Sequence, residues 1–140
     1  MLSIYQATPA FRDVRANLET VSRIAAAARG AGSSLLVLPE LFLSGYNLGA
    51  AARDLAEPAD GPTVAELSAI ARAHGLGIVA GFPEAADGRL YNAAVLVDAN
   101  GTCRAVYRKT HLFGADEPRI FHPGERLPLI DLPEARIGLA

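Results

Sequence analysis

The order of apolar and amphipathic segments in this chain predicts an α/β domain, with a mixed β-sheet and both helices packed on one of its faces. Three observations carry that expectation. In the first half of the chain, short apolar runs alternate with two amphipathic helical stretches, the pattern of strand–helix–strand units. Hairpin signals then punctuate a series of further strand-like runs. Finally, 140 residues, 51% of them hydrophobic and 20% charged, suffice for one ordinary core and lie far from the composition of a disordered chain.

Residues 1–7 alternate enough to read as a first strand. Asp13 can cap a helix whose apolar positions Val14, Leu18, Val21, Ile24, Ala25 and Ala28 fall on one stripe, and Gly30 offers it a left-handed end. Residues 34–38 form a short apolar strand of the kind covered on both faces. Residues 41–62 read as loop, with one helical turn around 50–56. Thr63-Val64-Ala65-Glu66 is a capping box just after Pro62, opening a helix through Val64, Leu67, Ile70 and Ala71 that His74-Gly75 closes. Residues 76–82 are another apolar strand, Asp87-Gly88 marks a hairpin, and residues 90–97 return from it. Asn100-Gly101 marks a second hairpin leading into residues 102–108. A polar loop covers 109–125, and short strands follow near 127–131 and 136–140. The sheet face away from the helices is expected to stay apolar and to need a cover. The last run stops in mid-strand and reads as a truncation.

Composition excludes several classes of function. Thirteen basic and fifteen acidic residues leave a net charge of −2 with no basic run, so the phosphate-neutralising patch of a nucleic-acid binder is missing. No stretch approaches the roughly 18 apolar residues of a membrane span, and the first residues carry no signal-peptide pattern. Cys103 is the single cysteine, so no internal disulfide is possible, and a cytoplasmic location fits best. No Cys/His cluster has metal-ligand spacing.

Two segments break the packing pattern. In Leu35-Leu36-Val37-Leu38-Pro39-Glu40 a carboxylate follows directly on a buried strand, and Pro39 forces the chain to turn there. The ends of strands in α/β sheets are where ligands bind. In Tyr107-Arg108-Lys109-Thr110-His111-Leu112-Phe113-Gly114, paired cations end a strand, and a loop with Asp116, Glu117, Phe121 and His122 follows. Taken singly, each residue is better read as part of a solvated strand end or charged loop.

Together the segments resemble the nitrilase superfamily of carbon–nitrogen hydrolases. The resemblance rests on Leu36-Val37-Leu38-Pro39-Glu40-Leu41-Phe42 with Gly45-Tyr46, on Tyr107-Arg108-Lys109-Thr110-His111-Leu112-Phe113, on Phe121-His122-Pro123-Gly124, and on Arg136-Ile137-Gly138-Leu139-Ala140, in the family's order. It implies an α/β fold that is the N-terminal half of a four-layer α-β-β-α sandwich. Residues 1–140 would then be a carbon–nitrogen hydrolase domain truncated before its nucleophilic cysteine. By motif position the family's catalytic glutamate is Glu40, its lysine Lys109 and its supporting glutamate Glu117. Phe42 and Tyr46 lie near the expected substrate pocket, where either could contact substrate or simply pack. The cysteine belongs a few residues after Ala140, and Cys103, placed before Lys109, matches no nucleophile and reads as a small packed side chain. His111 has no chemical step in the family pattern and reads as loop-structuring. His74 suits a helix C-terminus.

The implied chemistry is hydrolysis of a small amide or carbamoyl compound through a thioester acyl-enzyme, with no cofactor and no metal. The intact protein would form a homodimer or larger assembly. The residues after Lys109 look more like the amidase branch than the true nitrilases. Nitrile hydrolysis, a non-catalytic binding module and the glutaminase domain of an amide-transferring synthetase remain the alternatives. A membrane-embedded acyltransferase relative is disfavoured because no hydrophobic span is present.

Overall fold

A computed structural model describes residues 1–133 and 135–140. A five-stranded sheet forms its centre, in the order β1 (Leu2–Ile4), β2 (Leu35–Val37), β3 (Gly77–Ala86), β4 (Arg89–Val97), β5 (Cys103–Arg108). The β1–β2 and β2–β3 pairs are parallel, and β3–β4 and β4–β5 are antiparallel. That division follows the connections. Helices α1 (Val14–Gly30) and α3 (Pro62–His74) make the crossovers between the parallel strands, whereas tight hairpins join the antiparallel ones. Among the described residues, no helix is long and apolar enough to cross a membrane.

Helix α1 begins as its sequence predicts. The Asp13 carboxylate accepts the Ala16 N–H at 2.9 Å, and Leu18, Val21, Ala25 and Ala28 are buried on one stripe. Its end differs from expectation. Gly30 remains helical, and Gly32 takes the left-handed conformation (φ 86°), with the Ser33 N–H bonded to the Ala28 carbonyl and the Gly32 N–H to the Arg29 carbonyl. Both glycines could end the helix, and stopping at Gly32 keeps Ala28 on the buried stripe. Helix α3 closes as expected at Gly75 (φ 59°). It opens differently, because Gly61 is the residue before the first turn, Pro62 occupies that turn, and no Thr63 capping box forms. The Thr63 N–H is instead taken by the Glu57 carboxylate at 2.9 Å, from a segment that bridges onto β3 through Glu57. A non-local carboxylate thus replaces the local hydroxyl.

Both helices pack on one face of the sheet, as expected. Leu18, Val21, Ala25, Val64, Leu67 and Ala71 meet Leu36, Leu38, Ile78, Ala80, Phe82 and Val95 in the main core. Ser22 Oγ lies 3.3 Å from His74 Nε2 and links the two helices. Strand β3 runs past Phe82 to Ala86 despite Pro83, since Pro83 lies beyond the last residue paired with β2 and its missing N–H interrupts no ladder. Asp87 (φ 53°) and Gly88 (φ 72°) form the tight turn read from the sequence, and Gly101 (φ 79°) turns the second hairpin.

The last two strands depart from the expected mixed sheet. β6 (Leu129–Asp131) and β7 (Arg136–Gly138) pair only with each other, and Ile130 and Ile137 pack with Leu35, Val79 and Leu96. The sheet face expected to lie bare is therefore partly covered by the chain's own hairpin. Apolar burial explains the choice, because lying across the face hides more hydrocarbon than joining the edge beside the exposed residues of β5. The sequence-predicted helical turn is present as a 3₁₀ turn at Gly49–Ala51 and helix α2 (Ala52–Leu55). A short helix α4 (Glu117–Ile120) stands where only loop is expected, being too brief to show periodicity.

The cap of α3 yields a testable expectation. Glu57→Ala should destabilise the chain by about 1 kcal/mol, as loss of a helix cap does, whereas Glu66→Ala, on an exposed side chain outside any capping box, should change the thermal midpoint little. Equal losses in thermal melts would restore the Thr63–Glu66 box.

Candidate active site

Glu40 stands where β2 ends. The Leu38 N–H still bonds to the Val79 carbonyl, and the Leu43 N–H returns to the Gly81 carbonyl at 3.0 Å, so residues 39–42 bulge outward from the sheet between two anchors. Leu41 accepts a left-handed backbone (φ 51°), a conformation costly for a branched side chain that persists only when its surroundings hold it. Two features do so. Asn17, 1% exposed, donates to the Leu43 carbonyl and to the Ala10 carbonyl, and its Oδ1 accepts the Ala10 N–H. Gly81, beneath the bulge, has no side chain to obstruct it. A Cβ there would fall on the Leu41 nitrogen and lie 3.0 Å from Glu40 Cα.

Lys109 follows the last residue of β5. Its N–H donates to the Asn92 carbonyl at 2.8 Å, and its own carbonyl accepts the Gly124 N–H at 2.9 Å. Gly124 is the counterpart of Gly81, since a Cβ on it would lie 2.7 Å from Arg108 Cβ and strike the Arg108 carbonyl oxygen. Alternation along the strand sends Arg108 and Lys109 to opposite sides. Arg108 makes two bonds to the buried Glu84 carboxylate, at 2.6 and 2.8 Å, and its guanidinium sits 4.1 Å over the Tyr91 ring. The Thr110 N–H is held by the Tyr107 hydroxyl at 3.2 Å.

The structure brings all three predicted catalytic residues together. Lys109 Nζ donates to Glu40 Oε1 at 2.7 Å and lies 3.1 Å from the Glu117 carboxylate. Glu117 heads α4, and its Oε2 accepts the Phe113 N–H at 2.7 Å, closing the loop on itself. Burial alone would lower the Lys109 pKa, yet the hydrogen bonds and charges of Glu40 and Glu117 outweigh it and hold the ammonium above its ordinary value. A cavity of about 530 Å³ opens beside them, walled by Leu38, Asn92, Ala93, Tyr107 and His111 and reached by Ala140. A fixed cation, a carboxylate and a water-accessible apolar wall can bind a polar group and move a proton beside it. Among the described residues no cluster of three or more His, Cys, Asp or Glu stands together to hold a metal.

Two expected substrate contacts separate. Tyr46 is 40% exposed, and its hydroxyl pKa is raised by burial first and then by the neighbouring charges of Glu40 and Glu117. It belongs to the site's surroundings, on a second cleft of about 460 Å³ that Glu117 also lines. Phe42 is corrected. At 1% exposure it packs in the main core, edge-on to Tyr5 at 5.8 Å, because the bulge that presents Glu40 turns the next aromatic side chain inward. Cys103 is corrected too, being exposed at the start of β5 rather than packed. Six residues of extended strand place it about 20 Å from Lys109. His111 lies on the cavity wall with its Nδ1 3.0 Å from Thr110 Oγ1. Sequence reasoning missed Asn92, whose Nδ2 donates to Glu40 Oε1, and the Glu84–Arg108 pair. An asparagine inside the apolar run of residues 90–97 was the available signal.

Crowding at Gly81 predicts opposite outcomes for two glycine substitutions. Gly81→Ala should destabilise the chain by about 1–3 kcal/mol, as overpacking does. Gly30→Ala, helical with open space around it, should stabilise by about 0.5–1 kcal/mol. Thermal or denaturant melts read both, and a neutral Gly81→Ala would remove the glycine from its supporting role.

The family model described as carbon-nitrogen hydrolase matches residues 1–140. A protein named "Hydrolase in pqqF 5'region" from Pseudomonas protegens is 45% identical over 98% of this chain and 48% of its own length. An (R)-stereoselective amidase from Pseudomonas sp. is 39% identical over 76% of this chain and 38% of its own length. The crystal structure of an amidase from Nesterenkonia sp. superposes with a TM-score of 0.88 at 28% identity, covering 98% of this chain and 53% of that one. The chain thus spans about half the length of the curated relatives it matches. With helices on one sheet face and the family's motifs gathered at one cavity, this chain belongs to the carbon–nitrogen hydrolase family, the nitrilase superfamily.

Proposed function

We propose that this chain supplies the acid–base and electrostatic groups of a site that hydrolyses a small amide or carbamoyl compound by a Glu-Lys-Cys mechanism. The observation that carries this reading is the Lys109 ammonium held between the carboxylates of Glu40 and Glu117 at the mouth of a largely apolar cavity. On this reading the nucleophile is a cysteine a few residues after Ala140. Ala140 lines the same cavity as Glu40 and Lys109, which supports delivery of a thiol to that point. In one solved structure of a variant of the amidase from Nesterenkonia sp. AN1, the acetamide moiety of fluoroacetamide is added covalently at the active-site cysteine. A thiol mechanism has that precedent in a protein whose fold matches this one.

Each residue then has a step. Glu40 accepts the thiol proton as sulfur bonds to the carbonyl carbon, since a neutral thiol attacks an amide poorly. The carbonyl oxygen takes up negative charge, which the Lys109 ammonium stabilises. Glu40 passes its proton to the departing nitrogen, the carbon–nitrogen bond breaks, and a thioester remains. Water that gives a proton to the same carboxylate attacks the thioester and releases acid and thiol. Glu117 keeps Lys109 charged and aimed. Cys103, exposed and remote, takes no part.

Two sets of assays check this. Residues 1–140 alone should not turn over amides or nitriles, and any turnover that survives Cys103→Ala would contradict the mechanism. In the full-length protein, Lys109→Ala should cost roughly 10²–10³ in turnover and Glu40→Gln roughly 10²–10⁴. Glu117→Gln should cost less, acting through position, and His111→Ala should keep most activity. A dead His111→Ala beside a normal Lys109→Ala would replace this scheme with a Cys/His one.

A further inference from the structure

Asn92 is a buried polar side chain in the cavity wall that none of the family motifs quoted above accounts for. It lies on β4, is 3% exposed, and is flanked by Tyr91 and Ala93. Its backbone carbonyl takes the Lys109 N–H at 2.8 Å, and its side chain meets Glu40 Oε1 at 2.5 Å. An ionised carboxylate only accepts, so the nitrogen of the amide must face it. Lys109 Nζ donates to that same oxygen at 2.7 Å. Glu40 Oε1 therefore carries two donors, one of them cationic. Among the described residues no donor reaches Oε2, and the Glu40 side chain is 39% exposed, which leaves Oε2 open toward the cavity.

The two oxygens of one carboxylate are thereby made unequal. Hydrogen bonds to the charged form of a carboxylate hold its electron density and disfavour protonation at the bonded oxygen. A proton arriving at Glu40 settles on the atom without donors. We propose that Asn92 is a positioning residue for Glu40: by holding Oε1 it fixes the carboxylate plane and assigns proton uptake and return to Oε2. The proposal rests on the reading of Glu40 as the base. In the attack step the O–H bond forms at Oε2 as the S–H bond breaks, and the same proton later leaves Oε2 for the departing nitrogen. Lys109 alone could hold Oε1 but could not set the plane, because one ammonium contact to one oxygen leaves the carboxylate free to turn about it. The planar amide on a central strand supplies what it lacks.

The charged and titratable groups that face Glu40 are Lys109 from the end of β5, Glu117 from α4, Tyr46 from the loop after β2, and His111 from the cavity wall. Asn92→Asp keeps the shape and reverses the role, since a carboxylate beside Glu40 repels it and the pair retains a proton. In the full-length protein with a small aliphatic amide, Asn92→Asp should lower kcat roughly 10–100-fold, the scale of a misplaced catalytic group. KM should change less than about threefold, because the residue acts on the reacting base rather than on ground-state binding. The acid limb of the kcat/KM profile should move to higher pH, a shift that mere loss of packing does not produce. An unmoved acid limb with kcat within about twofold of the parent overturns the proposal.

Should Asn92→Asp not fold, the unsubstituted 140-residue chain carries the test by NMR. The two Asn92 side-chain amide proton signals should shift together as Glu40 is titrated, and Glu40→Gln should abolish that dependence. Signals that ignore Glu40 overturn the assignment. The two possible failures are distinct: an active Glu40→Gln removes the base itself, whereas a dead Glu40→Gln beside an unaffected Asn92→Asp removes only Asn92.

Discussion

The contact of the Lys109 ammonium with two carboxylates is the constraint on which the rest of the site depends. Glu40 comes from the end of β2, 69 residues before Lys109, and Glu117 from a short helix 8 residues after it. Burial alone would lower the pKa of this lysine, and two carboxylates this close with no cation between them would repel one another. The two carboxylates together hold the ammonium above its ordinary pKa. The backbone features around the cluster serve to bring its three members within bonding distance.

Those features share a logic of close approach. Gly81 lets the Glu40 bulge lie on β3, and Gly124 lets the following loop lie on Arg108. Asn17 ties down the far side of the bulge, and Asn92 joins the Glu40 side chain to the Lys109 backbone. On the opposite side of β5, the bidentate Glu84–Arg108 pair stacked on Tyr91 sets the rotation of the strand end, so that its neighbour Lys109 must point to the cavity. Truncating Arg108 would leave the buried Glu84 carboxylate uncompensated, which is costly. Strand alternation converts that pair into a device for aiming the lysine.

Much of this was legible in the sequence, and the limits have physical causes. Periodicity and turn chemistry located α1, α3, the strands and both hairpins, because those signals are local. Glu40, Lys109 and Glu117 were legible through motif order, although no rule of periodicity would have joined them. What the sequence hid was non-local. Glu57 caps α3 from outside the helix, where a Thr63–Glu66 box looked sufficient. The β6–β7 hairpin folded onto the bare sheet face instead of extending the sheet. Phe42 follows Leu41, whose left-handed backbone turns the aromatic side chain into the core, a reversal that a loop reading of residues 41–62 does not specify. Cys103 is exposed because an edge strand begins there. Asn92 carried no motif signal, because the carboxylate it bonds lies 52 residues away in the chain.

The clamp is tested most directly by the titration of Lys109 itself, followed through its side-chain nitrogen by heteronuclear NMR in the 140-residue chain. Because the folded pKa lies above the unfolded one, the clamp's contribution to stability is complete below the unfolded value and fades as pH rises through the folded one. The midpoint should fall above the ordinary 10.5, and it should drop in Glu40→Gln and again when Glu117→Gln is added. A midpoint at or below 10.5 that neither substitution moves would show a lysine lying near two carboxylates without being held by them.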